Sequence, residues 1–154
     1  MNKIDELETK IKELSEEIEK LKAEKENEPW KPKGGEWYWY IDVDVDPCTA
    51  RWSGYSHHEN RYIIGNVFRT KEEAEFRVEQ LKVEAELRWF SRPFKNDSEN
   101  YTLRYWQDED ILEIICFELS QCGNVYFPSE EIAQKAIDTV GEERIKKYYF
   151  GVGE

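Results

Sequence analysis

One short pattern occurs twice in this chain. Residues 65–75 read GNVFRTKEEAE, and residues 123–134 read GNVYFPSEEIAQ. In both, a Gly-Asn pair leads through an apolar-aromatic stretch to a hydroxyl residue, Thr70 or Ser129, and then to an acidic helix start. A hydroxyl there accepts an N–H of the first helical turn, and Glu73 completes a capping box after Thr70. Gly-Asn is a hairpin-turn pair. The repetition predicts two copies of one unit: a β-hairpin, a short strand and a helix.

The residues around each copy fit that plan. In the first, EWYWYIDVDVD alternates aromatic, β-branched and acidic residues as a strand does, CTARWSGYS is its hairpin partner, and RYIIGNVF is a third short strand. The helix after Thr70 has an inner stripe of Ala74, Val78, Leu81, Ala85 and Trp89, widened by Phe76, Val83 and Leu87, and ends before Pro93. In the second, NYTLRYW and ILEIICFEL flank the turn QDED, and QCGNVYF is the short strand. A helix follows from Glu130, burying Ile132, Ala133, Ala136, Ile137 and Val140 and stopping at Gly141. EERIKKYYFGV forms a last short helix whose Tyr148, Tyr149 and Phe150 return to the sheet. A sheet with one apolar face needs helices over it. The expected head is therefore one antiparallel sheet from both copies, with both helices on one side.

Ahead of the repeats stands a different pattern. Ile4, Leu7, Ile11, Leu14, Ile18 and Leu21 alternate spacings of three and four, with Ile at every a and Leu at every d position of a heptad. That choice favours a parallel two-stranded coiled coil. Across such a dimer Lys3 meets Glu8 of the second copy and Glu17 meets Lys22, while the pair Lys10 and Ser15 is neutral. A strict 3.5-residue period suits a partner helix better than a globular surface. Pro29, Pro32, Gly34 and Gly35 then break the helix. The expected fold is α+β: a coiled-coil helix over 1–27, a linker over 28–35, and a head over 36–154 with repeats at about 36–92 and 100–152.

Charge separates these parts. The first 33 residues hold eight lysines and ten carboxylates, so the other 121 carry −10 of the total −12. An acidic head repels nucleic acid and anionic membranes and is drawn to basic surfaces. Aromatics at 14% supply a small core of large side chains. No apolar run approaches the ~20 residues of a membrane span, and the N-terminus has no apolar segment of the secretory kind. Three cysteines, Cys48, Cys116 and Cys122, form no dense framework and fit a reducing cytosol. A cytoplasmic location is expected.

The stretches IGNVFRTKEEAEFRVEQLKVEAEL and GNVYFPSEEIAQKAIDTVGEERIKKYYFGV resemble a group of small proteins encoded in phages and prophages of Gram-positive bacteria. That group pairs an aromatic strand and a GN-aromatic-x-T-x-EEAE helix start with an IKKYLFGV-like end. The likeness covers about residues 36–152. Tyr148-Tyr149-Phe150 stands where the group often has Tyr-Leu-Phe. The matched residues are turn, cap and core types, so no binding site carries over. The resemblance implies a phage accessory gene, many of which encode compact blockers of host defence.

Chemical motifs are few. Asp42, Asp44 and Asp46 are spaced as at the start of a calcium loop, but Pro47 stands where glycine is needed and Ser53 where the twelfth-position Glu belongs. His57 and His58 lack the spacing of a metal site with Cys48 and read as loop residues. Cys48 with His57 as base has no supporting signature, and no phosphate-binding glycine pattern occurs. No metal or cofactor is expected. Trp37, Trp39, Trp52, Tyr101, Tyr105 and Trp106 could stack bases, but the head carries the wrong charge for phosphates. The acidic residues leave most to explain. Asp42, Asp44 and Asp46 fall in the first hairpin and Asp108, Glu109 and Asp110 in the matching turn of the second. With Trp52 they form the expected partner-binding surface, an acidic-aromatic ridge for a Lys/Arg-lined groove made for nucleic acid. The expected function is a non-enzymatic, homodimeric inhibitor of a nucleic-acid-handling host protein, of anti-CRISPR or antirestriction type. The alternatives are a coiled-coil adaptor in phage development and a single-stranded nucleic-acid-binding module.

Overall fold

A computed structural model describes residues 2–153. It is an α+β chain with the order α1 (Lys3–Glu26), β1 (Trp37–Ile41), β2 (Pro47–Arg51), α2 (Ser56–Ile63), α3 (Lys71–Trp89), β3 (Asn100–Trp106), β4 (Ile111–Phe117), α4 (Glu130–Val140) and α5 (Glu142–Arg144), the last running into a π-turn over Ile145–Tyr149. Asn2 caps α1 in a reciprocal box with Asp5. No residue of α1 is buried, and all six seam residues are more than half exposed. The stripe has not folded back onto the head.

Residues 28–35 differ from a free linker. Pro32 is buried, and the Lys31 ammonium lies over the rings of Trp52 and Tyr62 while bonding Glu59 at 2.9 Å. Gly35 donates to the Trp52 carbonyl, and Trp52 donates back to that of Glu36, both at 2.8 Å. The neck is thus laid along the end of β2.

The strands form two separate antiparallel pairs, β1 with β2 and β3 with β4, rather than one sheet. The expected third strand of each copy is reduced to isolated bridges. Phe68 and Trp39 exchange both backbone hydrogen bonds, as do Phe127 and Tyr101. Arg61 to Ile63 of RYII lie in helix, with Ile64 as its C-cap, because the polar run from Ser56 to Arg61 contains neither Gly nor Pro and continues straight into it; His57 and His58 are helical, not loop residues.

Helix α3 explains why one sheet does not form. At about 100° per residue, Val83 lies nine residues and half a turn from Ala74, and Leu87 stands likewise opposite Val78. All four are buried. Ala74 and Val78 serve one face, Val83 and Leu87 the other. The expected single stripe is therefore two, and Leu81 and Trp89, placed on it, are exposed. On one side α3 lies across the first hairpin, where Leu81 and Arg77 share a cleft with Ile41 and Phe68. On the other, Val83 and Leu87 enter the main core with Leu103, Phe127, Ala133, Ala136, Ile137, Val140 and Ile145. Phe76 meets Tyr148 there, and Glu86 holds Arg144. The first hairpin carries α2 on its other face, through Tyr38 and Tyr40. Helices thus cover both faces of that hairpin, and α3 separates it from the second unit.

Within each unit the repeat is physical. Gly65 and Gly123 share a left-handed backbone, φ +74° and +73°. Thr70 and Ser129 each accept the N–H three residues on, at 3.2 Å. Glu73 reaches back to the N–H of Arg69 rather than that of Thr70. Gly141, φ +99°, ends α4.

Candidate partner-binding surface

Six acidic residues were expected to act alike, and the two hairpin turns divide them. In the first turn the Asp42 carboxylate accepts the backbone N–H groups of Asp44 and Asp46, each at 2.9 Å, and the Cys48 thiol at 3.3 Å. The Asp46 N–H above all, then the thiol, hold its carboxyl below the usual range. Asp44 and Asp46 are exposed, with no salt bridge among the described residues. Val43, 96% exposed, and Val45, a β-branched residue at φ +68°, form the tip.

The second turn has the same division with its order reversed. Asp110, φ +53°, accepts the Tyr105 hydroxyl at 2.7 Å and pairs with Lys146 at 3.2 Å. Those two contacts, the hydroxyl first, lower its pKa. Burial works against the charge of Lys146, but Asp110 and Glu142 outweigh it and push its pKa up to about 12. Asp108 and Glu109 stay exposed and without an internal ion pair among the described residues. Asp42 and Asp110 thus fasten the turns, and Asp44, Asp46, Asp108 and Glu109 are displayed. The turns sit on separate sheets, so no shared strand ladder makes them one ridge.

Trp52 does not belong to that surface. It is buried, edge-on to Tyr38, His58 and Tyr62. The other aromatics are dispersed over both sheets, several under arginines: Arg51 over Trp37, Arg61 over Tyr40 and Arg104 over Trp106.

The metal and nucleophile alternatives meet a specific geometry. His58 is buried against Tyr38, whose hydroxyl accepts from Arg61 at 2.8 Å and shares a hydrogen bond with His58 Nδ1. Burial, then His57 and Arg61, hold the His58 pKa below its ordinary 6.5. Cys48 bonds Asp42 instead of a histidine, and that bond raises the thiol pKa, the opposite of an activated nucleophile. Among the described residues no three His, Cys, Asp or Glu side chains are grouped to hold a metal ion. Among the described residues no helix is long and apolar enough to cross a membrane.

The Arg61–Tyr38–His58 chain and the Lys146 cluster are features the sequence reading lacked. The spacing of His58 and Arg61, three apart on one helix, was a usable signal for the first once SHHENRYI is read as helical. Lys146 had none, since its partners come from the β3–β4 turn and from α5. Asn66, beyond its place in the Gly-Asn turn, has a further role. Its side-chain amide exchanges two hydrogen bonds with the backbone of Ile41, at 2.7 and 2.8 Å, in place of a neighbouring strand. Beside it Tyr40, Asp42, Val43 and Arg61 line a cleft of about 330 Å³. No protein-family model, no curated protein and no solved structure matches this chain.

Proposed function

We propose that the protein is a non-enzymatic, dimeric inhibitor that occupies the basic groove of a nucleic-acid-handling protein, as an anti-CRISPR or antirestriction factor of a phage would in the host cytoplasm. One observation carries this reading: Asp44, Asp46, Asp108 and Glu109 project from two fastened hairpin turns with no cation of the described residues to neutralise them. A turn backbone fixed in advance leaves less entropy to lose when its carboxylates meet lysines and arginines, and the head's charge of −10 steers the encounter. The phage context rests on the resemblance of the GNVF and IKKYYFGV stretches. The exposed seam of α1 supplies the second protomer, and two heads on one stalk gain avidity against a target with two grooves.

The test is a cleavage assay with a panel of CRISPR effector nucleases and restriction enzymes from Gram-positive hosts. Inhibition of at least one enzyme is expected, relieved by excess nucleic acid and weakening as salt shortens the Debye length from ~10 Å at 0.1 M to ~3 Å at 1 M. A mobility shift of single-stranded DNA or RNA by the protein alone would favour the nucleic-acid-binding reading. The same exposed seam also supports the adaptor reading, which gains if no enzyme of the panel is inhibited.

A further inference from the structure

Each two-stranded sheet has two outer edges, and an edge is a template for another strand unless blocked. Three of the four are blocked. On β1, Phe68 takes both backbone groups of Trp39, and the Asn66 amide takes those of Ile41. On β3, Phe127 pairs with Tyr101, and the Phe150 ring lies against that of Tyr105. Strand β2 is five residues long, begins with Pro47, which has no N–H, and ends with the charged Arg51.

Strand β4 has none of these devices. ILEIICF contains no Pro, Gly or Lys, and its one charge, Glu113, is neutralised from β3 by Arg104. Because Tyr101 turns its backbone groups outward to Phe127, the alternation of an antiparallel ladder bonds β4 to β3 through Ile111, Glu113, Ile115 and Phe117. The N–H and C=O groups of Leu112, Ile114 and Cys116 point the other way. Among the described residues no hydrogen bond meets them.

We propose that a second copy of this chain closes this edge, β4 pairing antiparallel with β4 of its partner about a twofold axis at Ile114, so that two hairpins become one four-stranded sheet. The outward residues are self-complementary in that register: Ile114 faces its own equivalent and Leu112 faces Cys116. Each Glu113 falls opposite Ile115 and keeps its own Arg104. The inference rests on the coiled-coil dimer proposed above, which holds a second β4 at millimolar effective concentration. Seam and edge are both isologous contacts, so one twofold axis can serve both.

Residue-resolved hydrogen exchange by NMR on the full chain tests this, with mass by light scattering. The Leu112, Ile114 and Cys116 amides should exchange roughly 100-fold or more slower than unprotected amides, as Glu113 and Ile115 do. In the double variant Ile11→Lys, Ile18→Lys the three should lose that protection while Glu113 and Ile115 keep theirs. Cys116→Pro removes an outward N–H at an exposed position without touching the ladder to β3, and should speed exchange at Leu112 and Ile114. A full-length dimer in which the three amides exchange freely would overturn the edge pairing and leave the seam standing. A double variant that stays dimeric with the three protected would uphold the edge and overturn the seam, and a monomeric full-length chain would overturn both.

Discussion

Tyr38 holds the first hairpin to α2 with one hydroxyl. It lies between the Arg61 guanidinium, from which it accepts, and His58 Nδ1, with which it shares a hydrogen bond, and it is fully buried. Burial, with His57 and Arg61 nearby, disfavours a charged His58, and this has a pH consequence. Its folded pKa lies below 6.5, its unfolded value near 6.5, so between the two the unfolded chain binds more protons. Stability should therefore fall as pH drops from about 6.5 through the folded value, and level off above. Urea midpoints across that range check the slope, and His58→Gln, which keeps a hydrogen-bonding side chain beside Tyr38 without titrating, should flatten it. Val45 gives a second expectation. A left-handed β-branched residue is strained by about 1–2 kcal/mol, and Asn tolerates that region, so Val45→Asn should raise stability by up to about 1 kcal/mol in the same assay.

At the scale of elements, the caps and the two-sided α3 carry the architecture. Thr70→Ala and Ser129→Ala should each cost about 1 kcal/mol by denaturant unfolding, since both oxygens accept an N–H in the first turn of their helices. Leu87, wholly buried, should cost about 2–5 kcal/mol on change to Ala, whereas Trp89→Ala, two residues on and largely exposed, should cost under about 0.5 kcal/mol. A reading of α3 as one stripe would rank Trp89 among the core residues, so the pair decides between them. What was legible here was local: caps, glycine turns, hairpin partners and the bounds of α1, α3 and α4 follow from residues within a few positions, while α2 was taken for a strand. The heptad was legible as a helix for the same reason. The two faces of α3 were not, because Ala74 with Val78 and Val83 with Leu87 each fit a 3.6-residue period and only the placement of the hairpins assigns them to opposite sides. Strand pairing between the copies was equally out of reach, since either hairpin satisfies its own inner ladder. The displayed carboxylates were found by composition, but the roles of Asp42 and Asp110 depend on a thiol, a hydroxyl and an ammonium brought in by folding.

The whole molecule is a positively balanced neck and an uncommitted helix beside an acidic head, and its assembly and its charge can be separated experimentally. Light scattering should give a dimer for the full chain at micromolar concentration. Ile11→Lys with Ile18→Lys should reduce its helix-driven association, because like charges would face each other across the seam. That pair lies on an exposed helix, so neither change disturbs packing within a protomer. Charge reversal addresses the other half. Asp108→Lys with Glu109→Lys changes two exposed side chains that fasten nothing, as does Asp44→Lys with Asp46→Lys, whose backbone N–H groups can still meet Asp42. Each pair should leave stability within about 0.5 kcal/mol and lower the association rate for the target about tenfold or more. Asp42→Lys or Asp110→Lys should instead destabilise the fold, by removing the group that fastens each turn. Reversal of the displayed pairs without effect on inhibition would assign the acidity of the head to solubility alone, and the exposed seam of α1 would then be the surface through which the protein acts.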